Sequence, residues 1–217
     1  MFSLDAFYKE YDTETTDLTV SGRRFKILLP RHLSQFIDPR DVMHDFPLWA
    51  KIWPASWALA SYLAELPTMA EKRFLEIGAG NGLVSIVAAS FGHRITMTEI
   101  NPDALQFARA NALINDCPRL KIQELDWNHP RPSEPFDTIV ASEVSYRKED
   151  IQPLMALFKN SLKTDGEVIL AGEMRKLSKD FYKALEEMFA IRVHKKILRS
   201  DDEAINIFLF RMKRIRP

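Results

Sequence analysis

Three glycines within five residues mark the first place where chemistry is legible. The run Phe74-Leu-Glu-Ile-Gly-Ala-Gly-Asn-Gly82 leads from an apolar stretch through Gly78, Gly80 and Gly82 into the apolar LVSIVAA. Glycine lets the backbone turn tightly and removes the Cβ that would hold a ligand away. A helix that begins there presents unpaired N–H groups. Glu99 closes the next apolar stretch, where an acidic side chain can accept both hydroxyl hydrogens of a ribose. A dinucleotide fingerprint would need a third glycine at position 83, and Leu83 stands there instead. Glu76 precedes the glycines, and a carboxylate there suits a ligand with a cationic tail better than a pyrophosphate. The plain alternative is a glycine turn between a strand and a helix with no ligand.

A second group follows the apolar run FDTIVAS, which ends on Ser142 and is followed by Glu143 and Tyr146. Strand ends of this kind point into a site, although a solvated carboxylate and a structural tyrosine are the bland readings. Trp49, Trp53 and Trp57 cluster just before the glycine run. Trp49 and Trp57 could equally be core packing, since tryptophan buries a large area wherever a core exists. The histidines have no partners at metal-ligand spacing. A single cysteine, Cys117, argues against a thiolate zinc site.

The elements that must carry these groups alternate. Trp53-Pro54 opens a helix with proline at its first position, and Pro67 stops it. From Arg73 the pattern is strand 73–77, helix 83–91, strand 94–99 and a helix from Pro102 to about Asn115, with Asn101 as N-cap. Strands at 120–125 and 136–142, helix 151–162, strand 167–171 and helix 178–189 follow. Two closing strands, 191–198 and 204–211, have no helix between them and should pair antiparallel. Residues 1–45 read as an irregular extension, with a hairpin signal at Ser21-Gly22. The alternation predicts an α/β chain with a mostly parallel, doubly wound sheet whose ligand site lies beyond the strand ends.

Composition sets bounds. The 217 residues are 46% apolar and 28% charged, with 30 basic and 30 acidic side chains. This balance excludes disorder and coiled coil, and it gives no whole-protein attraction to nucleic acid or membrane. One cysteine and no apolar leader predict a cytoplasmic protein.

The run LEIGAGNG followed by TEIN resembles motif I and the acidic strand end of class I, seven-β-strand, S-adenosylmethionine-dependent methyltransferases. The resemblance covers about Phe46 to Arg211. It implies a Rossmann-like sheet of order 3-2-1-4-5-7-6 with strand 7 antiparallel. The N-terminal β-hairpin/helix extension (1–45, a possible lid) would precede a methyltransferase domain at 46–217. PLWAKIWPASWALASYL, LDW and SEVSY further resemble the protein-lysine methyltransferase group, with Glu143-Val-Ser-Tyr146 standing where Asp-x-x-Tyr or Glu-x-x-Tyr is found.

That resemblance implies S-adenosyl-L-methionine as cofactor and S-adenosyl-L-homocysteine as product. Gly78, Ala79 and Gly80 would line the methionine and ribose, Glu76 would face the amino group, and Glu99 would hold the ribose. Asp126 and Trp127 would border the adenine, Ser142 would flank the methionine, and Trp53 would close over the cofactor. Glu143 and Tyr146 would be catalytic, with Trp49 and Tyr146 contacting substrate. The implied partner is a protein whose lysine is methylated. A small-molecule amine or N-heterocycle and a non-catalytic cofactor-binding scaffold are the rivals. A nucleic acid has only the basic tail RMKRIRP in its favour, because SEVSY lacks the Asn/Asp-Pro-Pro-Tyr expected for base amines.

Overall fold

The computed structural model describes residues 2–38, 40, 46–130, 134–144, 148–173, 179–199 and 204–215. A small antiparallel pair, β1 (Thr13–Val20) and β2 (Arg23–Pro30), precedes the main sheet. Its turn is the expected Ser21-Gly22, with φ of 46° and 79°. Two successive positive φ values match the right-handed twist of the flanking strands.

The main sheet has seven strands. They are β3 (Arg73–Glu76), β4 (Arg94–Glu99), β5 (Lys121–Glu124), β6 (Phe136–Ser142), β7 (Leu162–Gly172), β8 (Phe189–Arg199) and β9 (Ala204–Arg214). Their order is β5-β4-β3-β6-β7-β9-β8. Counted within this sheet alone, that is 3-2-1-4-5-7-6. The last strand, β9, runs antiparallel to both β7 and β8. The expected architecture therefore stands.

Helices cover both faces because the strands are apolar on both. Phe74, Val140, Ile169 and Leu209 join one core cluster with α2 (Pro54–Glu65), α3 (Leu83–Ser90), α4 (Pro102–Ile114) and the hairpin. Leu75, Ile139, Val168 and Phe210 point the other way, onto α5 (Ile151–Ser161) and α6 (Lys179–Met188). Adjacent residues of one strand thus serve opposite layers, as the period of two requires. Asn101 caps α4 as expected, its side-chain oxygen accepting from Ala104 N–H at 2.9 Å.

Two differences have clear causes. Leu4–Glu10 form a helix, α1, ahead of the hairpin; the resemblance implies a helix in this extension, whereas the residue pattern alone reads as irregular. Seven residues are too few to hold a helix alone. Here Phe7 and Tyr11, one turn apart, pack on Phe107 of α4 with ring centroids 5.0 and 5.1 Å away. Strand β7 begins at Leu162, ahead of the expected Glu167, and its register against β6 shifts between Phe136 and Thr138. The polar residues Lys163–Asp165 hide that early half from any apolar pattern.

Candidate active site

The ends of β3, β4 and β6 and the start of α2 converge on a cavity of about 230 Å³. Gly78, Ala79 and Gly80 form its floor, and Glu99, Trp127, Ser142 and Glu143 stand around it. Trp49, Lys51, Trp53 and Ser56 complete the lining, with Trp49 and Lys51 held against the glycine loop. The sheet brings together nine of the residues singled out from the sequence. Glu76 and Asp126 do not line the cavity. Tyr146 lies outside the described residues. None of the residues of 2–38 lines it either.

The loop needs its glycines for two reasons. Gly78 and Gly80 have φ of 61° and 56°, in the left-handed region. A Cβ at Gly78 would lie 2.8 Å from Val144 Cγ1, and one at Gly80 would lie 3.3 Å from Trp49 Cβ. Glycine at these two positions therefore lets Val144 and Trp49 pack directly against the loop. Gly80 N–H donates to Glu99 Oε2 at 2.9 Å, which ties the loop to the end of β4. Ile100 N–H and Asn101 N–H donate to Glu99 Oε1 at 2.8 and 3.0 Å. A carboxylate has about four acceptor positions. Three are taken by backbone, leaving about one for a ligand hydroxyl.

Glu76 faces inward, with 1% of its surface exposed. Ser85 in the first turn of α3 donates its hydroxyl to Glu76 Oε2. Burial pushes the carboxyl up to about 8, against the Ser85 hydrogen bonds and with a further push from Glu99. Glu76 is thus largely uncharged at neutral pH in the folded chain and ionised in the unfolded one. Above the unfolded value of 4.5 the folded state holds the extra proton, so stability falls as pH rises toward about 8. We expect Glu76→Gln to flatten this fall. Its melting temperature should gain on the wild type between pH 5 and pH 8 in a pH series of thermal melts.

Glu143 has φ of 53°, uncommon for a residue with a side chain. Its N–H donates to Ala171 O at 3.0 Å, and its Oε1 accepts from Glu173 N–H at 3.1 Å. The ends of β6 and β7 therefore hold the carboxylate at the cavity wall. Strain of this kind persists where surroundings over-determine it, often at working sites. Ser142 and Ser56 share a hydrogen bond of 3.1 Å. That bond joins β6 to the first turn of α2, whose N-terminus carries positive partial charge.

The tryptophans divide. Trp53 N-caps α2 and donates its indole N–H to Leu48 O at 2.7 Å, with Lys51 Nζ 5.1 Å from its ring. Trp49 lines the cavity, but its ring packs on Phe36 and Phe107 at 5.0 and 5.1 Å. Trp57 packs against the core, the bland reading given for it. Asp126 accepts from Asn128 and pairs with His129 at 2.9 Å, and the His129 bond leads in holding its carboxyl below the usual range. Lys51, Ser56 and Asn81 line the cavity without having been singled out. The sequence signal for Asn81 is its place between two of the glycines.

Residues 45–188 match the family model described as lysine methyltransferase. The chain belongs to this family. Among curated relatives, mouse protein-lysine methyltransferase METTL21E is 34% identical over 155 residues, covering 64% of this chain and 63% of that protein. Human histone-arginine methyltransferase METTL23 is 32% identical over 112 residues, covering 48% and 59%. The chain thus spans about six-tenths of the length of these family relatives. In structure, a ribosomal protein L11 methylase from Lactobacillus delbrueckii superposes with a TM-score of 0.57 at 22% identity, covering 72% of this chain and 77% of that one. That likeness supports the fold. The family's methyl donor, S-adenosylmethionine, fits the residues present: a Gly-Ala-Gly loop with small side chains only, the Glu99 carboxylate beside it and the indoles of Trp53 and Trp127 in the lining. No helix among the described residues is long and apolar enough to cross a membrane.

Proposed function

We propose that this chain transfers a methyl group from S-adenosylmethionine to a lysine side chain of a protein. The observation that carries the reading is the placement of Glu143 on the wall of the cavity floored by Gly78–Gly80. When bound, the cofactor supplies an electrophilic methyl group. The chain's own residues supply alignment and a neutral amine.

Glu99 would take a ribose hydroxyl, Trp127 would lie against the adenine, and Asp126 would brace that loop. The positive ends of α2 and α3 favour the cofactor's carboxylate, with Ser142 and Trp53 beside it. Glu76 would act on the cofactor's amino group only indirectly, by fixing α3 through Ser85.

Lysine has an ordinary pKa of ~10.4, so roughly 1 in 2,500 is neutral at pH 7, a cost of about 4.6 kcal/mol. The Trp49 indole, and the Tyr146 phenol that the resemblance assigns to the substrate, would lower it by desolvating the ammonium. Glu143 orients the amine by a hydrogen bond while solvent takes the proton. A reducing, cytoplasmic setting suits the single free thiol of Cys117.

A protein substrate can be separated from a small amine directly. Purified chain and tritiated S-adenosylmethionine are incubated with heat-treated lysate of its own host, and the products are split by size. Label in a discrete protein band is the expected result. Label confined to the small-molecule fraction would replace the protein reading with a small-amine one.

A further inference from the structure

The glycine loop is held from behind by a chain of amides that starts in the N-terminal hairpin. Asn111, on α4, is fully buried. Its Oδ1 accepts from Leu28 N–H of β2 at 2.7 Å. Its two amide hydrogens go to Leu28 O at 3.2 Å and to Asn81 O, in the loop, at 2.9 Å. Asn81 continues the chain. Its amide hydrogens go to Trp49 O and Lys51 O at 3.2 and 3.1 Å, and its Oδ1 accepts from Leu83 N–H at 3.3 Å. Both side-chain amides have spent every donor. Removing either leaves buried backbone groups unpaired and lets the segments it joins separate.

Asn115 lies one turn further along α4. It clips the same edge of β2 in the same way, accepting from Lys26 N–H at 3.0 Å and donating to Lys26 O at 2.6 Å. Its remaining hydrogen goes to Asn111 O at 2.8 Å, within α4. Asn115 therefore holds the hairpin without touching the loop. Asn81 holds the loop without touching the hairpin, and Asn111 alone does both.

We propose that Asn111 is a positioning residue for cofactor binding, and that through it the N-terminal hairpin serves as a strut that fixes the glycine loop against the Trp49–Lys51 wall. The proposal rests on the reading that this loop holds the cofactor. A strut explains why none of residues 2–38 lines the cavity although the hairpin packs closely behind it.

The test is the affinity for S-adenosylhomocysteine, measured by calorimetry on full-length chain well below each variant's melting temperature. Asn111→Ala and Asn81→Ala should each raise Kd about tenfold, the scale of one lost buried link. Asn115→Ala should stay within about twofold of wild type while lowering the melting temperature. In turnover, Asn111→Ala should raise KM for the cofactor and leave kcat at saturation nearly unchanged, a split that loss of folded protein alone does not produce. Asn111→Ser, which keeps one polar atom against β2, serves if Asn111→Ala is too unstable to purify. An Asn111 variant that melts earlier yet binds as wild type overturns the proposal. Glu99→Ala, measured alongside, tells the two failures apart. Lost binding there with intact binding in Asn111→Ala sinks only the strut, whereas intact binding in both sinks the assignment of the loop itself.

Discussion

Glu143→Gln is expected to lower kcat/KM for methyl transfer by roughly ten- to a hundredfold, the scale of a hydrogen bond to a charged group. Cofactor affinity should remain within about twofold of wild type. Glutamine keeps the Oε1 that accepts from Glu173 N–H at 3.1 Å, so the backbone around position 143 retains its anchor. The substitution removes the negative charge and keeps the side chain's length and shape. An amine meeting a neutral amide is held more weakly and in more orientations, and in-line transfer punishes misalignment. Glu143→Gly should give a contrasting pair of effects. It relieves the φ of 53°, which offsets in part the loss of the acceptor for Glu173 N–H, and it removes the carboxylate entirely. Steady-state kinetics with calorimetric cofactor binding checks both variants. Unchanged kcat/KM in Glu143→Gln would remove Glu143 from the chemistry.

The second large effect is expected at Glu99. Its carboxylate accepts three backbone N–H groups, from Gly80, Ile100 and Asn101. It thereby joins the glycine loop to the start of α4 as well as offering a position to a ribose hydroxyl. Glu99→Ala should weaken S-adenosylhomocysteine binding at least about a hundredfold, since it removes a charged acceptor and loosens the floor beside it. Glu99→Asp, one methylene shorter, should fall between. Calorimetry on variants whose circular dichroism matches the wild type separates binding from folding. Affinity within tenfold of wild type for Glu99→Ala would place the ribose elsewhere.

Much of this arrangement was legible because its determinants are local. The glycines between β3 and α3, the Asn101-Pro102 start of α4 and the Ser21-Gly22 turn each announce a backbone shape within a few residues. The alternation implied a mostly parallel sheet with an antiparallel closing pair, and the strand order came from the resemblance. What escaped depends on partners far along the chain. Asn111 reads as one polar residue in a helix until Leu28, 83 positions away, is seen to pair with it. Glu76 reads as a cavity residue from its place before the glycines. Only the side chain's turn toward Ser85 shows it buried behind the loop. Trp49 reads equally as core packing and, by the resemblance, as a substrate contact, and it does line the cavity. Its ring, however, belongs to an aromatic cluster built by α1, whose seven residues show too little periodicity to be read. Tyr146 lies outside the described residues, so the second half of the Glu-x-x-Tyr pair rests on sequence resemblance alone.

The most direct test of the account is amino-acid analysis of the labelled protein product. The band labelled from tritiated S-adenosylmethionine is hydrolysed in acid, and the radioactivity is assigned by co-elution with methylated standards. The expected result is label in N-methyllysine, reduced at least about tenfold at matched early times when Glu143→Gln replaces the wild type. Label in methylarginine, or label of equal amount with the variant, would contradict the lysine acceptor or the role given to Glu143.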